Sequence, residues 1–141
     1  MTARLSAIAL LLAVLPTLSF GQTSEQYGVM GQKLWAAFQC GALAEHAGRA
    51  EESRRLYKIG YDQGTAFVGA YKAGKVDQQA RNNVPLAVLL MLDGGPTVDF
   101  ILGRIFESAM QDTSKHFTGG DSTKQKLIAE QSFTNQNCGL L

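Results

Sequence analysis

A chain of 141 residues with 13 Lys and Arg against 12 Asp and Glu carries a formal charge of +1, too little to gather nucleic acid or an anionic membrane surface by long-range attraction. Two cysteines and two histidines leave little material for a metal centre. No His-Glu-x-x-His, paired Cys-x-x-Cys or calcium-loop spacing occurs, so neither a metal nor a cofactor is expected.

The chain opens with Arg4, an unbroken apolar run from Ala7 to Leu15, the helix breaker Pro16, and small residues at Ser19 and Gly21. That order is the pattern of a secretory signal peptide over residues 1–21, with cleavage expected between Gly21 and Gln22. The apolar run is shorter than the roughly 20 residues needed to span a bilayer. Removing 21 of 141 residues leaves 120, enough for one domain with one sizeable core over 22–141. Loss of Arg4 also takes the formal charge to zero. An exported chain with two remaining cysteines has one possible pairing, Cys40 with Cys138, closing a loop of 98 residues. A loop of that length contributes at most about 4 to 5 kcal/mol through lost chain entropy.

Thr23 and Gln26 stand at capping-box spacing, which predicts a first helix from that point. Tyr27, Met30, Leu34, Phe38 and Ala42 then mark its apolar face, widened by Trp35 and Leu43, with fraying near 45–48. A second helix is predicted from Arg49 to Ala73, stopped by Gly74, with Glu51 four before Arg55. It carries two adjacent faces: Leu56, Ile59, Gln63, Phe67 and Ala70 on one, and Tyr57, Tyr61, Gly64, Val68 and Tyr71 on the other. Gly60 and Gly64, four apart inside it, each cost roughly 1 kcal/mol against Ala. Close packing against another helix is the main explanation, and a smooth contact strip flanked by Tyr57, Tyr61 and Tyr71 is the alternative.

Asp77 is placed to cap a short helix, and Pro85 forces a restart at Asn83 or Val84. From Val84 to Met110 two apolar arms flank Asp93-Gly94-Gly95-Pro96-Thr97, which reads as a helical hairpin at the centre of the fold. The missing loop lysine argues against a phosphate cradle in that turn. The second arm places Val98, Ile101, Leu102, Ile105 and Ala109 on one face, with Phe100, Phe106 and Met110 beside it. Arg104 interrupts this series, and either reaches water along its own stem or is buried and paired. Past Lys115, His116 and Gly119-Gly120, Asp121 or Ser122 caps a last helix expected to face Leu127, Ile128 and Phe133 inward, before the polar stretch 134–137 and Cys138.

The expected fold is therefore all-α: a single-domain bundle of four to five helices with a central apolar hairpin and one disulfide. No catalytic set is recognisable in the spacing. The leading expectation is a periplasmic or secreted protein that binds an envelope macromolecule, of inhibitor, immunity or exclusion type, with Tyr57, Tyr61, Gly64, Tyr71 and Arg104 as candidate binding residues. One alternative is a small cell-wall hydrolase using Glu107 as an acid held neutral by apolar neighbours, partnered by Asp62 or Asp99. Another is a carrier of a small apolar ligand held between the tyrosine face and the hairpin. The export reading has a direct check: intact mass of the protein recovered from the periplasm or medium of an expressing bacterium should match a chain beginning at Gln22, and a full-length mass would refute it.

Overall fold

The computed structural model describes residues 21–141, so the expected leader, Gly21 apart, lies outside the described residues. The capping box forms as its spacing predicts: Thr23 Oγ1 accepts from the Gln26 amide at 3.2 Å, and Gln26 Oε1 accepts from the Thr23 amide at 2.9 Å. Helix α1 (Ser24–His46) follows. It ends where Gly48 turns left-handed (φ 79°), so that the Gly48 and Arg49 amides reach back to Glu45 and Ala44. Helix α2 (Ala50–Lys72) starts at once and closes the same way at Gly74 (φ 69°). So short a link folds the two 23-residue helices antiparallel.

Glycines then decide how closely they lie. A Cβ on Gly41 would run into the Tyr57 ring, and one on Gly60 into the Phe38 ring. On Gly64 it would meet Leu34 at 2.8 Å, and on Gly31 the Phe67 ring at 3.1 Å. Each step back along α1 is matched by an equal step forward along α2, so a large side chain of one helix fills each gap left by a glycine of the other. Gly60 and Gly64 are thus packing sites, and their cost in helix propensity is offset by this interlock.

Two short helices, α3 (Gln78–Arg81) and α4 (Leu86–Leu89), lead to α5 (Val98–Ser114). Asp77 caps α3 at the Ala80 amide and Thr97 caps α5 at the Phe100 amide. The expected central hairpin is corrected here. Its first arm makes only the single turn of α4, after which the Met91 and Leu92 amides bond three residues back, to Val88 and Leu89, and the helix tightens into turns. Val84, Val88 and Leu92 reach the core, while Leu86 and Leu90 stand 67% and 73% exposed. The central rod is instead α1, which is buried on nearly all sides from Ala37 to Ala44 and packs against α2, α3, α5 and α6.

Helix α5 lays Leu102 on Gly64 and sets Phe106 edge-on against both Phe38 and Tyr57, with ring centroids 5.3 and 5.1 Å apart. Helix α6 (Ser122–Asn135), capped by Asp121, packs on α1. Only a narrow stripe of it, Ala129 and Phe133, is buried, and Leu127, expected inward, is 60% exposed because a single neighbour covers a single stripe. The Cys40–Cys138 disulfide joins α1 to the tail with Cα atoms 5.4 Å apart. It sits in a second core with Leu43, Leu56, Phe117, Ala129 and Phe133, beside the main core of Leu34, Phe38, Phe67, Val88, Ile101 and Ile105. On the surface of α2 the expected Glu51–Arg55 pair is replaced by Glu51–Arg54 and Glu52–Arg55. The architecture among the described residues is an all-helical single domain of four substantial helices and one disulfide.

The interlock makes glycine substitutions diverge in sign. Gly60→Ala should destabilise by about 1 to 3 kcal/mol through overpacking against Phe38. Gly69→Ala, where a Cβ meets nothing within 4 Å, should be neutral or stabilise by up to ~1 kcal/mol. Urea denaturation of the two variants reads both.

Candidate functional site

Where α5 crosses α2, the side chains that fill the interlock on one side present their far edges on the other. Phe38 from α1, Tyr57 and Tyr61 from α2, and Leu102, Gly103 and Phe106 from α5 line an open groove of about 390 Å³. Its walls are carbon apart from two phenol groups and the Asp99 carboxylate. Gly103 is exposed on the edge of α5 that lines the groove, and a Cβ there would meet nothing within 4 Å, so its lack of a side chain serves no packing.

The phenols are anchored at the rim. Tyr57 is half-buried and donates its hydroxyl to Glu45 Oε2 at 2.8 Å, with Met110 Sδ 3.1 Å from the same oxygen. Burial, reinforced by the Glu45 carboxylate, pushes the Tyr57 pKa well above the ordinary tyrosine value. Tyr61, 49% exposed, donates to Asp99 Oδ1 at 2.9 Å and ties α2 to the first turn of α5. That bond to a carboxylate also raises its pKa.

The residues expected to form one binding face divide. Tyr57 and Tyr61 come together in the groove. Gly64 does not reach the surface; Leu34 and Leu102 cover it. Tyr71 lines a separate polar cavity with Lys72, Arg81 and Asp93. Arg104 is exposed and donates to the Gly94 carbonyl at 2.9 Å, so it follows its own stem to water and is not buried beside the groove. Sequence reasoning missed Phe38, Leu102, Gly103 and Phe106 as lining residues, since an aromatic or leucine on a stripe is core by default. Gly103 carried the one available signal, a helix-interior glycine.

For the hydrolase reading, the apolar surroundings expected around Glu107 are corrected: the residue is exposed and accepts from Gln111 Nε2 at 3.1 Å. Asp62 pairs with Lys58 at 2.7 Å, and Asp99 is engaged by Tyr61. Among the described residues no three His, Cys, Asp or Glu side chains gather as a metal site. His46, the last residue of α1, stacks on Phe117 with ring centroids 4.3 Å apart, and His116 is exposed. No described helix is long and apolar enough to cross a membrane. Compared with protein-family models, curated proteins and solved structures, the chain matches none.

The raised Tyr57 pKa carries a signed prediction. A tyrosine held neutral in the folded state binds more protons than its unfolded counterpart above about pH 10, so stability falls as pH rises from there. In Tyr57→Phe that alkaline loss should be smaller. Urea midpoints measured from pH 8 to 11 decide it; identical slopes above pH 10 in the two proteins would refute the assignment.

Proposed function

We propose that the chain is an exported protein, periplasmic or secreted, that acts by binding an envelope macromolecule as an inhibitor, immunity or exclusion factor, and that the groove between α2 and α5 is its contact surface. The groove itself is the observation that carries this reading. Its aromatic and leucine walls offer apolar contact with little loss of side-chain freedom, because Phe38 and Tyr57 are held from behind by opposing glycines and Phe106 is held by both rings. Tyrosines at a groove rim, with one edge apolar and a hydroxyl in water, are the residue type that dominates binding energy at protein interfaces.

The carrier of a small apolar ligand is the second reading, since about 390 Å³ falls within the size range of small-molecule sites. Such sites bury most of their ligand, however, and this groove is open along its length. An open groove suits a side chain presented by a large partner, whose own surface then closes the top. Export and location rest on the leader pattern, and the hydrolase reading shares with the groove only Asp99, which Tyr61 engages.

Gly103 supplies the test, because it lines the groove and a Cβ added there meets nothing within 4 Å. Cross-linking in envelope extracts should recover a stoichiometric complex with the wild type and with Gly69→Ala, and Gly103→Trp should reduce recovery at least tenfold while leaving the urea midpoint unchanged. Equal recovery with Gly103→Trp would remove the groove from the interface. Native mass spectrometry of the purified protein separates the second reading: a co-purifying apolar ligand displaced in Gly103→Trp would favour the carrier.

A further inference from the structure

At the far end of α2 lies a cavity of different chemistry. Tyr71 and Lys72 close the helix, Val76 follows in the link, Arg81 ends α3, and Leu92 and Asp93 belong to the turn before α5; together they line about 540 Å³. The volume is within the range of small-ligand sites. Three formal charges face it, Arg81 and Lys72 against Asp93, and no ion pair within 4.0 Å joins any of them.

What each polar group does have is weak. Tyr71 donates to the Asp93 carboxylate at 3.4 Å, and Lys72 Nζ donates to the Gly95 carbonyl at 3.4 Å. Arg81 has less. Its Nε is buried without a hydrogen-bond partner, the one such side-chain atom among the described residues. A guanidinium whose Nε is out of contact with water has lost hydration at that atom, and no carboxylate compensates it. A partly buried cation that lines a cavity with a second cation, neither of them paired with a carboxylate, suits an anion.

The charge balance states which kind. Arg81 and Lys72 exceed Asp93 by one positive charge, and the C-terminal end of the α2 dipole adds partial negative character. A single negative charge neutralises the cavity, whereas a dianion would leave excess negative charge beside Asp93. We infer that this cavity is a binding site for a monoanionic carboxylate, held by Arg81 and Lys72. The inference concerns a cavity outside the groove and does not rest on the binding function proposed above.

The carboxylate can belong to a free organic acid or to a peptide C-terminus, and the test distinguishes them. The purified, disulfide-bonded protein is titrated with acetate, with the peptide Gly-Gly-Leu as free acid, with its C-terminal amide, and with inorganic phosphate, following the NMR signals of Arg81, Lys72 and the amides of residues 93–95. Saturable shifts confined to those residues are expected for a carboxylate. Tighter binding of the free-acid peptide than of acetate identifies a chain terminus as the source, and equal binding identifies a small acid. Arg81→Gln should abolish the shifts, and Asp93→Asn should tighten binding by about threefold to tenfold by removing a like charge. If Arg81→Gln fails to fold, Lys72→Gln, at an exposed position, should weaken binding at least threefold. The inference is overturned by the absence of saturation with either carboxylate, by equal binding of the peptide amide, by phosphate binding as tightly, by shifts that persist in folded Arg81→Gln, or by an unchanged affinity in Asp93→Asn.

Discussion

The interlock of α1 with α2 is the contact on which the other elements depend. Four glycines along the two helices face four bulky side chains of the partner, Gly41 with Tyr57, Gly60 with Phe38, Gly64 with Leu34 and Gly31 with Phe67. Because interiors are packed to near-crystalline density, such a seam tolerates little sliding; moving one helix by a residue would drive rings into backbone. The antiparallel register follows from that, and with it the position of every residue that later elements contact. Leu102 of α5 seats on Gly64 beside Leu34, and Phe106 seats on the two rings that already occupy the seam.

The second core is built differently. Helix α6 buries only Ala129 and Phe133, which is too little apolar surface to hold fourteen residues in place by itself. Two further ties hold it to α1 and the start of α2. The buried Cys40–Cys138 bond anchors the tail, and Arg49 lies 4.6 Å from the centre of the Phe133 ring while pairing with Glu130 at 3.1 Å. The exposed ion pair contributes little, and the disulfide removes most of the freedom the tail would otherwise have.

At the C-terminal end of α2, on the side of the main core, the turn over residues 93–97 acts as a junction. Tyr71 and Tyr61 on α2 reach Asp93 and Asp99 on either side of it, Lys72 reaches the Gly95 carbonyl, and Arg104 returns from α5 to the Gly94 carbonyl. Ten residues of helix separate the two tyrosines, about 15 Å along α2. The apolar groove and the polar cavity therefore sit at opposite ends of one tyrosine face, divided by a turn clamped from both helices. A face that reads as continuous along the helix is two environments in space.

Local signals determined the helix ends. The Thr23–Gln26 box, Asp77, Thr97 and Asp121 as caps, and Gly74 as a left-handed stop each act within four residues, so they are legible without knowing what the helix packs against. The disulfide was legible for another reason: two cysteines permit one pairing. Which apolar segment lies at the centre was not legible, because hydrophobicity states what a side chain gains by burial and not whether a neighbour is there to cover it. Leu86 and Leu90 are as apolar as Val88, yet the arm bearing them is bounded by Pro85 and by the glycine turn. Too short to lie along α5, it covers the core with one side and leaves the other in water. The same reason hid the groove. Phe38, Tyr57 and Phe106 each belong to a regular stripe, and only the tertiary crossing of three helices turns one edge of those rings inward and leaves the other edge open.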